Sequence, residues 1–289
     1  MKTSATFTGF IAIALWSVLA LLTAASGTMP PFQLAAVTFA IGGGFGLAWA
    51  GARGQLAALR QPWRVWLLGV GGLFGYHALY FAALRLAPPA EAGLIAYLWP
   101  LLIVLLSALL PGEHLRVRHI AGALLGLCGV FVLMFGAKLW RGEGYGLEAR
   151  FLPGYALAFA SAFVWSIYSV LSRRFKQVPT EAVAGFCLAT AGLAALAHLA
   201  FEASVWPSSA SQWLAVAGLG LGPVGLAFFV WDHGVKHGDI KMLGVASYAA
   251  PVLSTLILVA FGFADTSWAL AVACAMIALG ALVASFQAA

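Results

Sequence analysis

The sequence predicts an all-α integral membrane protein of ten transmembrane helices, arranged as two five-helix inverted repeats. Three observations carry that expectation. Of 289 residues, 63% are hydrophobic and 8% charged, whereas soluble domains carry about a quarter charged residues, so most of this chain cannot face water. The apolar runs fall near the ~20 residues that cross a hydrocarbon core of ~30 Å. Motifs of the first half also return in the second at offsets of 149 to 151 residues. Trp16-Ser17 returns as Trp165-Ser166, and Gly129 as Gly280. Gly93, Tyr97 and Pro100 return as Gly244, Tyr248 and Pro251, and Tyr80 falls opposite Trp231. Five spans per half is odd, so the second half enters the membrane reversed, related to the first by a two-fold axis in the membrane plane.

The first two spans are about Phe7–Ala25 and Pro31–Gly51, divided by the turn signal Ser26-Gly27-Thr28-Met29-Pro30-Pro31. The third fills Val65–Leu84, and Pro88-Pro89 ends its connection to the fourth, Glu91–Pro111. The fifth is about His119–Ala137. Lys138–Arg150, with five charges and three glycines, is the longest polar connection and the boundary between halves. The halves are therefore 1–138 and 153–289, joined by 139–152. The remaining spans are about Pro153–Ser172, Thr180–Phe201, Gln212–Asp232, Met242–Phe261 and Ser267–Phe286. With the N-terminus cytoplasmic, inside segments hold eleven Lys and Arg and outside loops four. Positive residues favour the cytoplasmic side, so both termini are expected there.

The formal charge of +6 is scattered through short inter-helix runs, as topology signals are, and predicts no nucleic-acid partner. Cys128, Cys187 and Cys274 lie in apolar segments and read as small core residues. Lys2 precedes a long apolar run, but no small-residue cleavage pattern leads into a polar mature chain, so no cleaved leader is expected. No H-E-x-x-H and no phosphate loop ending in Lys-Ser or Lys-Thr occurs, and no carboxylate pair sits within a span, which disfavours an enzyme. No metal site and no cofactor is expected.

The fourth span carries the strongest functional signal. Pro100 has no N–H, so the Ala96 carbonyl loses its helical donor, and in lipid such a break must face protein or a cavity. Gly93, Tyr97 and Pro100 share one helical face. The repeat of that pattern at Gly244, Tyr248 and Pro251 gives two broken helices in matching places, the mark of a transporter's binding site. Aromatic residues cluster near mid-span: Trp16, Tyr76, Tyr80, Tyr97, Trp99, Trp165, Tyr168 and Trp231. Such rings suit an apolar side chain, and their faces and the freed carbonyls suit an amine. Ser247 and Tyr248 add hydroxyls. Trp99 lies about 200° round an ideal helix from Tyr97, so only distortion at Pro100 puts both on one cavity.

Other signals have a plainer reading beside the functional one. His77 is either a proton-handling group or a hydrogen-bonded structural histidine. Trp63, Trp66, Trp140, Trp206 and Trp213, near span ends, read as an interfacial belt. Arg85 and Glu91 read as a solvated or salt-bridged rim pair in preference to a gate, and Asp232 as a helix-end acid paired locally with Lys236 or Lys241. Gly42 and Gly46 favour helix packing within the chain over a dimer seam, so a monomer or weak dimer in membrane lipid is expected.

Ten spans in two inverted halves resemble the drug/metabolite transporter superfamily, and its EamA-type branch in particular. Tyr97-Leu98-Trp99-Pro100, Trp231-Asp232-His233-Gly234 and Gly244-Val245-Ala246-Ser247-Tyr248 through Pro251 resemble the bacterial aromatic amino-acid exporters of the YddG type. The resemblance implies an inner-membrane exporter of aromatic and other neutral amino acids working by alternating access. It implies a central cavity formed mainly by spans 1, 3, 4, 6, 8 and 9, with Trp16, Tyr76, His77, Tyr80, Tyr97, Trp99, Trp165, Ser247 and Tyr248 at cavity positions. Asp232 and Asp239 depart from the pattern, which has neutral amides there. The alternative reading is a transporter of another small solute, such as a drug cation or nucleoside. A membrane-embedded enzyme ranks last.

Overall fold

The computed structural model describes residues 2–142, 148–262 and 265–285. Residues 143–147 of the polar connection and Phe286 of the last span lie outside the described residues. Among the described residues, ten helices are long and apolar enough to cross a membrane. They are α1 (Lys2–Ala25), α2 (Pro31–Ala52), α3 (Trp63–Leu86), α4 (Pro89–Ser107), α5 (Val117–Trp140), α6 (Ala149–Phe175), α7 (Ala182–Phe201), α8 (Ala210–His237), α9 (Ile240–Ala260) and α10 (Trp268–Ser285). Proline at the start of α2, α4 and α6 suits the first helical turn, where its missing N–H has no partner to lose. Gly27 and Gly112 close the turns after α1 and α4 at φ of +86° and +76°, which side chains rarely adopt.

The main helix pairs are α1–α8, α2–α7, α3–α6 and α5–α10. Exchanging each helix with the one five places on leaves this set of pairs unchanged, as a two-fold relation between halves requires. Two seams depend on glycine, because lipid supplies no hydrophobic pull and helices associate through close backbone packing. A Cβ on Gly122 of α5 would lie 2.5 Å from the Gly280 carbonyl of α10. One on Gly42 would lie 2.6 Å from Gly225 Cα, and one on Gly46 2.4 Å from the Phe229 ring. Gly42 and Gly46 therefore pack within the chain.

Four helices are interrupted: α1 at Val18, α4 at Tyr97–Leu98, α8 by a π-helical turn at Gly222–Leu226, and α9 at Ser247–Tyr248. In α4 the break falls a turn before Pro100. Leu98 N–H bonds back three residues to Ile95 at 3.1 Å, and Leu101 N–H goes across to the Tyr248 hydroxyl at 3.2 Å. One broken helix is thus completed by a side chain of its counterpart.

The face carrying both chain ends is knitted by charge. Glu113 meets Arg173 at 2.8 Å and Lys241 at 2.5 Å, and Arg173 also donates to the carbonyls of Val235 and Gly238. Burial alone would raise the Glu113 carboxyl, but Lys241 and Arg173 outweigh it and hold Glu113 below the usual carboxylate range. Asp232 does not end α8. The helix runs on to His237, so Asp232 is buried, paired with Lys236 at 2.8 Å and accepting from Thr180 at 2.8 Å. At the opposite face Arg85 and Glu91 do not pair with each other. Arg85 meets Glu202 at 2.8 Å, and Glu91 accepts from the Tyr155 hydroxyl. Glu202 also caps the α2 N-terminus through the N–H groups of Phe32 and Gln33 at 3.1 Å, where the helix dipole favours an anion.

Candidate functional site: a central aromatic cavity

The breaks in α1, α4 and α8 surround a cavity of about 200 Å³. It occupies the half of the bundle away from the chain ends, because its lining comes from the later turns of α1 and α3 and the earlier turns of α4. Trp16, Tyr76, His77, Tyr80, Tyr97, Trp99 and Trp165 all line it, with Gly93 and Ala96 beside them. Among the described residues, no Asp, Glu, Lys or Arg belongs to the lining. The break at Tyr97–Leu98 is what lets Tyr97 and Trp99 share one cavity despite their separation on an ideal helix.

Four tryptophans from four helices close the floor. Trp16, Trp99, Trp165 and Trp231 lie with all ring centroids 5.1 to 6.3 Å apart, mostly edge to face. Aromatic pairs in such geometry contribute ~0.5–1.5 kcal/mol each beyond buried area, so this cluster is a rigid plug. Trp16 is fixed by an Nε1–H bond to the Pro223 carbonyl at 3.1 Å, in the π-helical turn of α8. Trp231 is fixed by an Nε1–H bond to the Ser169 hydroxyl at 3.1 Å. Beneath the plug stand the ion pairs of the terminal face.

The wall is built by α3. Tyr76 and Tyr80, four residues apart, stack at 5.9 Å with an 11° interplanar angle. His77 Nδ1 lies 2.7 Å from the Leu73 carbonyl, which can only accept, so this nitrogen is the donor of that bond. Phe39, Phe81 and Phe228 surround the imidazole with centroids at 5.1, 5.8 and 6.2 Å. At the α4 break, Pro100 gives no N–H to the Ala96 carbonyl, and Leu101 gives its own to Tyr248. Two backbone carbonyls at Ala96–Tyr97 thus lack their helical donors beside the cavity.

The other sequence-expected positions lie elsewhere. Trp231 is part of the plug, fully buried beneath the lining. Pro100 is buried behind the break. Ser247 Oγ donates to the Leu243 carbonyl at 2.7 Å and is fully buried. Tyr248 packs its ring on Gly126 of α5, where a Cβ would come within 2.5 Å, and its hydroxyl serves Leu101. Phe228, Pro223 and Val224 line the cavity without having been singled out. Gly222-Pro223 in mid-span was the available signal for them. Among the belt residues, Trp63, Trp140, Trp206 and Trp213 are exposed. Trp66 instead packs inward, edge-on to Phe186 at 5.4 Å and over Gly185.

Ten apolar spans with interrupted helices meeting at an uncharged central cavity define a multi-pass membrane transporter. Residues 3–135 and 152–286 each match the EamA-like transporter family, and the chain belongs to that family. It is 62% identical over 288 residues, 99% of both chains, to the aromatic amino acid exporter YddG of Ancylobacter novellus. It is 29% identical to the exporter of that name from Salmonella typhimurium over 87% of this chain and 86% of that one. A solved crystal structure 62% identical in sequence superposes with a TM-score of 0.94, covering 99% of this chain and 97% of the other.

Proposed function

We propose that the protein exports aromatic and other neutral amino acids across a bacterial inner membrane, with both termini cytoplasmic. The observation that carries this reading is a cavity lined by seven aromatic side chains and one imidazole, with no charged residue among the described lining. Such a lining receives a ring by stacking and disfavours a solute of net charge. A zwitterionic amino acid is neutral overall. Its ammonium fits the carbonyls of the α4 break and the ring faces, and its carboxylate fits the hydroxyls of Tyr76, Tyr80 and Tyr97. The name and identity of the Ancylobacter relative support the same substrate class.

The further reading is alternating access by two inverted five-helix halves, 1–138 and 153–289. The self-consistent helix pairing and the two family matches, one per half, support it. With the termini cytoplasmic, the arrangement here has its cavity on the external side and its plug and ion pairs on the cytoplasmic side. Export then requires those pairs to part while the distal ends of α3, α4 and α6 close. Counterflow of labelled tryptophan, phenylalanine, alanine and threonine in proteoliposomes tests the substrate class. Competition by aromatic amino acids is expected. Competition only by a drug cation or a nucleoside would replace the reading.

A further inference from the structure

On the membrane-facing side of α3 and α6, a groove of about 460 Å³ runs from the terminal face toward mid-span. Its apolar walls include Leu67, Leu68 and Gly71 of α3 with Ile167 and Leu171 of α6. Leu67 is 64% and Ile167 41% exposed, so none of the described residues covers the groove. The space over Gly71 is empty: a Cβ there would meet nothing within 4 Å, whereas the next residue, Gly72, is pressed against the Tyr168 ring. The slot is therefore open on its outer side alone.

Its mouth differs from its walls. Arg64 lies there, with Trp63 and Phe175 at the same level. The Arg64 guanidinium stands 5.6 Å from the Trp63 ring centroid, and among the described residues it has no carboxylate partner. An apolar slot at membrane depth excludes water and is matched by hydrocarbon. A single cation with an aromatic collar at the headgroup level is matched by an anion. No Asp or Glu lines the mouth to meet an ammonium headgroup.

We propose that the α3–α6 groove binds one anionic phospholipid, its phosphate at Arg64 and one acyl chain laid over Gly71 between Leu67 and Ile167. The opposite faces of these two helices carry Tyr76, His77, Tyr80 and Trp165 into the cavity. A lipid in this slot therefore bears on the helix pair that shapes the site.

Arg60, Arg174 and Lys176 also sit at the terminal face, so the test must separate a site from a diffusely basic surface. The probe is an equimolar mixture of dioleoyl phosphatidylglycerol and dioleoyl phosphatidylcholine, with lipid retained by the full chain counted by native mass spectrometry. The wild type is expected to keep one phosphatidylglycerol preferentially. Arg64→Gln, which removes the charge, should lower that preference about fivefold, the effect of one basic group at an anionic lipid surface, and Gly71→Leu, which fills the slot, should lower it as well. Arg60→Gln should change it by less than about twofold, and so should Gly44→Leu, another glycine open to the outside. Thermal melting checks that each variant is folded. Wild-type retention in Gly71→Leu, or an equal loss in Arg60→Gln and Arg64→Gln, would overturn the site.

Discussion

Tyr97 and Tyr248 occupy the same place in the same motif, Gly-x-x-x-Tyr-x-x-Pro, and the structure gives them opposite work. Tyr97 stands at the α4 break and lines the cavity. Tyr248 stands at the α9 break, fully buried on Gly126, with its hydroxyl completing the backbone of α4. The helix break is common to both; the neighbour it faces is not. Tyr97 faces the stacked Tyr76 and Tyr80 across open space, whereas Tyr248 is pressed into the glycine-lined surface of α5. A repeated sequence thus builds one half of a site and one strut.

Substitutions can sharpen or break that contrast. The largest expected effect is on stability: Tyr248→Ala leaves a cavity against Gly126 and should destabilise the fold by about 3–5 kcal/mol, lowering the melting temperature in detergent. Its surviving transport should weaken alike for all substrates. Tyr97→Ala removes one ring from the cavity and should cost about 1.4 kcal/mol of aromatic-substrate binding, about tenfold in apparent KM. Alanine and threonine transport should change far less. Tyr248→Phe keeps the ring and strands the Leu101 N–H, a loss of about 1 kcal/mol in stability with unchanged selectivity. An unchanged melting temperature would show that the hydroxyl does not complete α4.

The smallest effect concerns the terminal face. Since the folded state holds the Glu113 carboxyl below its unfolded value, its contribution is full above the unfolded pKa and fades as pH falls through the folded one. The wild-type melting temperature should decline on acidification through the carboxylate range. Glu113→Gln should start lower at neutral pH and decline less steeply. Equal slopes in the two proteins would remove Glu113 from the ion-pair cluster.

Composition and span length made the ten helices legible, and proline made the α4 and α9 breaks legible. The α1 break at Val18 has no proline or glycine to announce it. The α8 turn did have Gly222-Pro223 to mark it. Helical periodicity placed Tyr76, Tyr80 and Tyr97 on inward faces, and the structure brings them together. It also placed Tyr248 on such a face, but periodicity names a face and not the helix opposite it. A direct Arg85–Glu91 salt bridge fails for the same reason: Glu202, far along the chain, takes Arg85 and also caps α2. Asp232 was misplaced because its charge suggested a helix end. Pairing with Lys236 one turn on lets the helix continue past it.

The central claim is that an aromatic side chain is held by Tyr97 and its neighbours, and not by Tyr248. The most direct test is the ratio of apparent KM values for tryptophan and alanine in proteoliposomes, compared between Tyr97→Ala and Tyr248→Ala at equal membrane abundance. The ratio should rise about tenfold in Tyr97→Ala and stay at its wild-type value in Tyr248→Ala. A ratio unchanged in Tyr97→Ala, or raised as much in Tyr248→Ala, would contradict the account.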